Sequence, residues 1–403
     1  MTLAGCVLPG SDGFGSVNII GSVLKHFGAP SPHGPLHASI LDLKPFVGAK
    51  QIVLLTVDGL GYRTLKEKSK LRRLGLGRLA RRTAPITTTA PSTTVTALTT
   101  LGTGKGPLEH GIMGYWQFVQ RLGMLTNMLR FKPVASGGYL GHDFEPGSFQ
   151  QNPGVFDLLA KKNVMGYNIL RQDYLDSSLN RMSRAGAACG IGYINSSDLF
   201  VHARRTLLER KGKRTFLNLY WDKTDSISHA YGKESDEMTA ELANFDFSLF
   251  SELLDRKFND ETLVLITADH GHITSSPRKS ISFNDHPALL SMLILPPSGE
   301  ARLTYLHVKN GRLDNVKEYL SDSQFGRHFH VLESADAIDK GVFGPGKPCQ
   351  QALDAIGDLV MIPKDDWYAP YDFHPERERN PLIGRHGGLS AEEMEVPLIA
   401  MRV

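Results

Sequence analysis

The chain has 403 residues, 41% of them hydrophobic and 22% charged, enough to bury a sizeable core with room for one large domain and an insertion. Its formal charge of +3 and isoelectric point near 8.6 are only mildly basic, and no run of Lys and Arg is interleaved with aromatics, which argues against a nucleic-acid track. No stretch approaches the roughly 18 apolar residues of a membrane span, and Cys6, Cys189 and Cys349 lie too far apart to suggest a disulfide framework or a thiolate metal site; a reducing, cytoplasmic setting is expected.

Leu3-Ala4-Gly5-Cys6 spells a bacterial lipoprotein cleavage box, but the five residues before the cysteine cannot hold an apolar leader. Gln51 to Val57 is a short, almost wholly apolar run ending at Asp58-Gly59, which predicts a buried parallel strand. The basic stretch from Lys66 to Arg82 sets Leu71, Leu74 and Leu79 on one helix side, interrupted by Gly75, Gly77 and Arg78, and reads as a solvated surface segment. Thr87 to Thr100 is dense in hydroxyls. Pro91 there can open a helix with Ser92 or Thr93 as N-cap and an apolar stripe through Val95, Leu98 and Leu101. A hydroxyl at such a terminus sits where free N–H groups can bind an oxyanion, although the residues alone fit a threonine-rich cap equally well.

The Gly- and aromatic-rich loop from Gly137 to Asn152 is expected to wall a pocket. Strand-like runs at Thr215 to Tyr220 and Thr262 to Thr267 alternate with helical segments at Val155 to Lys162 and Glu237 to Leu254, which predicts an α/β sheet covered on both faces. From about His286 the pattern changes to short strands at Met292 to Leu295, Leu303 to Val308 and Leu359 to Ile362, with a helix near Asp314 to Leu320. This predicts a small α+β cap at 286–370, inserted between core segments 1–285 and 371–403.

In open sheets the working residues collect at the carboxyl ends of the strands. The strand at Gln51 runs into Asp58, that at Thr215 into Asp222 and Asp225, and that at Thr262 into Asp269 and His270. Asp225 and His229 are four apart and share a helix face, and His386 stands before Gly387-Gly388. Any one of these could be a cap or a turn. Together, carboxylates and imidazoles on successive strand-end loops match the ligands that zinc or manganese prefers.

These residues resemble the alkaline phosphatase superfamily, and within it the type I phosphodiesterase and nucleotide pyrophosphatase family. The resemblance runs from about Asn18 to His286 and from Ile383 to the end. Val57-Asp58-Gly59, Pro91-Ser-Thr-Thr94, Thr103-Gly104, His110-Gly111-Ile112, Asp225 to His229, Asp269-His270-Gly271 and His386-Gly387-Gly388 follow in the family's order. It implies a three-layer α/β/α core and two divalent cations, zinc or manganese. One would be held by Asp58, Asp269, His270 and Thr94, the other by Asp225, His229 and His386. Family relatives place the nucleophile ten residues before the glycine that closes its helix, and counting back from Gly104 selects Thr94, with Thr93 and then Thr89 behind it. The implied reaction is hydrolysis of a phosphate diester through a phosphothreonine, on a small-molecule substrate such as a nucleotide.

The sequence departs from that pattern where diesterase relatives carry an asparagine after the His-Gly-Ile step. Met113-Gly114-Tyr115-Trp116 stands there, so Tyr115 becomes the candidate phosphate contact. His272 has no counterpart and suggests a surface role or one behind the ligands. A phosphomonoesterase would need further cations, for which Lys105, Arg171 and Arg278 are candidates. A metal-binding scaffold without catalysis is the remaining alternative.

Overall fold

The computed structural model describes residues 3–40, 46–80, 85–134, 144, 146–149, 153–183, 186, 189–256, 261–374 and 381–403. Most of the loop from Gly137 to Asn152 therefore lies outside the described residues. The apolar runs become strands Gln51–Val57, Thr215–Trp221 and Thr262–Thr267, each buried along its whole length, as expected of parallel strands packed between helical layers. They form the centre of a six-stranded sheet whose order is 398–402, 262–267, 51–57, 215–221, 165–171, 189–193. Leu398–Arg402 runs antiparallel along one edge and the other strands are parallel.

Register sets where the chemistry appears. Gln51 is paired with both Thr215 and Thr262, so the three central strands start level and end level. Asp58, Asp222 and Asp269 consequently leave the sheet along one edge, the carboxyl edge where loops can present side chains without breaking the ladder.

A second, seven-stranded antiparallel sheet has the order 329–333, 359–363, 303–306, 298–300, 116–119, 124–127, 132–133. It joins strands from 298–363 to a meander from 116–133, so two separate stretches of chain build it. The expected strands at 303–308 and 359–362 form, as Leu303–Leu306 and Leu359–Pro363. Met292 to Leu295 does not. The helix Pro287–Leu290 runs straight into it and Pro296-Pro297 follows without donors, leaving one isolated bridge from Leu293 to Val308. The segment at Glu237 to Leu254 is an α-helix over Asp236–Leu249 that widens to a π turn at Phe250–Leu254. In the basic stretch, Arg73 in the left-handed region (φ 52) splits two helices, Tyr62–Arg72 and Gly75–Ala80.

One close approach within the second sheet and one ion pair to the His386 loop set its position. Gly114 (φ +146) lies so near Gly299 that a Cβ on it would meet the Gly299 α-carbon at 3.2 Å. Arg302 is wholly buried and forks onto Glu393, with Nε 2.6 Å from Oε1 and Nη2 2.7 Å from Oε2. Burial would raise the Glu393 carboxyl, but the Arg302 guanidinium holds it below the usual carboxylate range. Glu393 in turn accepts the Gly388 N–H at 2.9 Å, so this ion pair ties the second sheet to the loop carrying His386. Removing one partner of a buried pair leaves the other charge uncompensated. Arg302→Met is expected to cost about 3–5 kcal/mol in chemical denaturation, and a loss under about 1 kcal/mol would show that the pair is not structural.

Candidate active site

Thr94 is the first residue of the helix Thr94–Thr103. Thr93 before it is extended (φ −139°, ψ 148°). Gly104 closes the helix in the left-handed conformation, φ 72°, its N–H bonded to the Thr100 carbonyl, a place that favours glycine. Thr94 is half-buried, and its Oγ1 lies 3.2 Å from His270 Nε2.

Asp58, Asp269 and His270 converge on that hydroxyl. His270 Nε2 is 3.4 Å from Asp58 Oδ1 and 3.8 Å from Asp269 Oδ2. The other oxygens of both carboxylates are already used. Asp269 Oδ1 accepts the N–H groups of Gly59 and His270, each at 3.0 Å, and Asp58 Oδ2 accepts the Tyr220 hydroxyl. Asp58 Oδ1 and Asp269 Oδ2 are left buried with no hydrogen-bond partner. Burial, then the Asp269 and Asp225 carboxylates, push the Asp58 carboxyl well above its ordinary range, although the Tyr220 hydroxyl opposes this. Orphaned anionic oxygens of this kind are costly unless a cation meets them, so the donor set fits a metal ion.

A second group surrounds Asp225. Its Oδ1 lies 2.9 Å from His272 Nε2, 3.3 Å from His229 Nε2 and 3.7 Å from His386 Nε2. Burial would raise the Asp225 carboxyl, but His229 and His272 hold it well below the usual range. His229, on the helix Lys223–Tyr231, is lowered by burial, yet Asp225 beside it moves it upward overall. Burial and the neighbouring His270 hold the His386 imidazole well below its ordinary value, and the two rings stack with centroids 3.9 Å apart.

Three of these imidazoles share one arrangement. Nδ1 of His229 meets the Gly384 carbonyl at 2.8 Å, that of His270 meets the Gly271 carbonyl at 3.1 Å, and that of His386 meets the Ser92 carbonyl at 3.1 Å. A backbone acceptor at Nδ1 fixes the tautomer and ring direction and leaves Nε2 to bind. Ser92 also accepts the Gly387 N–H at 3.1 Å and donates to the Gly388 carbonyl at 2.7 Å, so the residues just before Thr94 hold the His386 loop in place.

His272 is different. It is fully buried, its Nδ1 has no partner, and its Nε2 is spent on Asp225. Burial drives its pKa down to about 4 despite the Asp225 hydrogen bond, so the ring is neutral and steers Asp225 by donating to it. The sequence signal was the His270, His272 spacing of two, which puts both side chains on one face of extended chain.

Tyr115 is not brought to Thr94 by any described contact. Its N–H donates to Glu300 Oε1 at 2.8 Å, and its ring packs edge-on against Trp116. Glu300, from the strand Ser298–Glu300, also takes the Thr93 hydroxyl, and burial raises it to about 7 against the pull of those hydrogen bonds. Among the other candidate cations, Arg171 is committed to Asp222 at 3.1 Å and Asp173 at 2.6 Å, and Arg278 is exposed in the short turn Pro277–Lys279. Lys105 does not border the cavity at Thr94.

The sequence model of the type I phosphodiesterase / nucleotide pyrophosphatase family matches residues 52–129 and 165–389. The chain belongs to this family. The chain is also similar in fold to several solved structures. Murine ectonucleotide pyrophosphatase / phosphodiesterase 5 is 16% identical with a TM-score of 0.64, covering 87% of each chain. An inactive threonine-to-alanine variant of the murine protein, in complex with AMP, is 17% identical with a TM-score of 0.62 and the same coverage. Phosphonoacetate hydrolase from Sinorhizobium meliloti 1021, in complex with phosphonoformate, is 18% identical with a TM-score of 0.64, covering 87% of this chain and 89% of that one. At such identities the likeness shows the alkaline-phosphatase-like fold. No curated protein sequence matches the chain.

The Asp58 environment gives a signed pH prediction. A carboxyl whose folded pKa is raised stabilises the fold only below its unfolded pKa, near 3.9, and that contribution is lost as pH rises through the folded value. The Asp58 contribution to the stability of metal-stripped protein is therefore expected to fall on going from acid to neutral pH. Asp58→Asn is expected to raise the melting temperature of the stripped protein at pH 7 and to blunt its further rise when zinc is added. A stripped variant that melts below the stripped wild type would contradict the electrostatic account of this cluster.

Proposed function

We propose that this phosphoric ester hydrolase cleaves phosphate diesters through a covalent intermediate on Thr94, in a site built for two divalent cations. The observation that carries the reading is the hydroxyl of Thr94, at a helix N-terminus and 3.2 Å from His270 Nε2, which itself lies 3.4 Å and 3.8 Å from the oxygens of Asp58 and Asp269 that have no hydrogen-bond partner among the described residues.

Asp58, Asp269, His270 and Thr94 Oγ1 would hold one ion, and Asp225, His229 and His386 the other, with His272 orienting Asp225 from behind. Zinc or manganese bound there supplies charge neutralisation of the phosphate and acidifies a coordinated hydroxyl or water. Thr94 loses its proton and its oxygen attacks phosphorus in line. The bond to the leaving alcohol or nucleotide breaks and its oxygen takes up a proton, leaving phosphothreonine that still carries the other organic group; water then attacks that phosphorus, releasing the monoester, and the Thr94 oxygen regains its proton. A phosphate on Thr94 would also sit at the N-terminus of the Thr94–Thr103 helix, whose positive end favours negative charge.

A small-molecule phosphoester, with nucleotides among the candidates, suits a site of this size. That an inactive form of the murine relative has lost a threonine, and binds AMP, supports both the nucleophile and the substrate class. Arg171, engaged by two carboxylates, is not the spare cation a phosphomonoesterase would use there, and the match to the type I phosphodiesterase / nucleotide pyrophosphatase family favours the diester reading. A scaffold without catalysis has no use for a hydroxyl placed at the partnerless carboxylates.

Thr94→Ala is expected to lower turnover of bis(p-nitrophenyl) phosphate by about 10³-fold or more while metal content stays within the wild-type range. Wild-type protein with zinc or manganese is expected to cleave that diester faster than p-nitrophenyl phosphate. Retained turnover in the variant would remove Thr94 from the mechanism, and equal rates on both esters would remove the diester preference.

A further inference from the structure

We propose that the cavity beside Thr94 selects esters whose organic group carries a second anion of its own, held by Arg130 and Lys132. The proposal rests on the reading of Thr94 as the reacting group and names the class of substrate that reading leaves open.

The cavity has a volume of about 520 Å³, and Asp58, Thr94 and Asp225 are among the residues that border it. A phosphate placed at Thr94 would fill only part of that volume, and the rest would be left to the organic group. Arg130 and Lys132 border the same cavity, and among the described residues neither forms an ion pair. They flank Phe131, which is fully buried with φ 50° and packs edge-on against Phe149 at 4.9 Å between ring centroids. The buried ring pins the turn between the strands Met124–Asn127 and Lys132–Pro133, so both cations are held on the cavity rim.

The negative charge on the cavity wall is answered from elsewhere. Asp222 already has Arg171 at 3.1 Å, Lys223 at 3.6 Å and the Tyr174 hydroxyl at 2.8 Å. Asp176, which is exposed, is the other carboxylate among the described residues that border the cavity, besides Asp58, Asp222 and Asp225. Arg130 and Lys132 are therefore available to an incoming anion.

An independent feature of the cavity floor also asks for a ligand. Asn168 and Asn218 sit side by side on the strands Met165–Arg171 and Thr215–Trp221, at 3% and 1% exposure, where neighbouring positions are apolar. Buried amides are costly unless their hydrogen bonds are made. Asn218 Nδ2 donates to Asn168 Oδ1 at 2.8 Å, Asn168 Nδ2 to Asn180 Oδ1 at 2.7 Å, and Asn180 Nδ2 to the Leu175 carbonyl at 2.6 Å. The relay runs in one direction and leaves Asn218 Oδ1 buried without a donor. A polar organic group with a donor for that oxygen, and an anion for the rim, completes both features. A plain hydrocarbon ester completes neither.

The test uses two diesters that release the same chromophore, butyl p-nitrophenyl phosphate and 3-carboxypropyl p-nitrophenyl phosphate, with the zinc-loaded full-length protein. The kcat/KM for the carboxylate probe is expected to exceed that for the butyl probe by about tenfold or more, since charge-assisted bonds carry that much discrimination. The ratio is expected to fall towards one in an Arg130→Gln, Lys132→Gln double variant and in wild-type protein at high salt, and to rise in Asp176→Asn, which removes the opposing carboxylate. Asp176→Asn keeps the proposal testable even where the double variant fails to fold. A wild-type ratio near one, or a ratio that survives the double substitution, overturns the anion site. The butyl probe separates the two levels of argument. Turnover of it without preference overturns the anion site alone, whereas no turnover of either probe overturns the phosphodiesterase reading and the anion site with it.

Discussion

Three carboxylates, Asp58, Asp225 and Asp269, are crowded into one buried corner, and the rest of the site is arranged around that electrostatic conflict. Like charges in a poorly solvated place cannot all remain ionised without a counter-charge. The protein supplies part of it through hydrogen bonds, from Tyr220 to Asp58, from two N–H groups to Asp269 and from His272 to Asp225. One oxygen each of Asp58 and Asp269 is left facing inward without a partner. Beside them, three imidazoles have their Nδ1 atoms tied to backbone carbonyls and present Nε2. The arrangement is incomplete as protein alone and becomes balanced when cations enter it.

The fold creates that corner by simple means. Level parallel strands deliver Asp58 and Asp269 to one edge, the helix after the next strand brings Asp225 and His229, and the Ser92 segment just before Thr94 grips the distant His386 loop. The second sheet then presses on the back of the same loop through Arg302 and Glu393. Its own meander brings Arg130 and Lys132 to the border of the cavity.

Much of this was legible in the sequence because the decisive signals are local. An apolar β-branched run ending in aspartate announces both a buried strand and a residue at its carboxyl end, as Gln51 to Asp58 and Thr262 to Asp269 illustrate. The spacing from Thr94 to Gly104 is a helix length, and the structure has that helix. What was hidden depends on contacts distant in sequence. Glu300 reaches the Tyr115 N–H across 185 positions, so no pattern near Tyr115 shows that its backbone is already engaged. The two-stretch origin of the second sheet has the same cause, since the 116–133 meander joins it through a single pairing of Trp116 with Gly299. Met292 to Leu295 has the composition of a strand but lies between a short helix and two prolines, and flanking geometry overrode composition there.

The central claim is that the carboxylate corner is a site for two cations, and anomalous scattering from zinc-loaded crystals tests it most directly. The account predicts two zinc peaks in each chain, one bounded by Asp58, Asp269, His270 and the Thr94 oxygen, the other by Asp225, His229 and His386. A zinc-loaded structure in which those side chains surround no peak, or in which a single peak accounts for all of them, would contradict it.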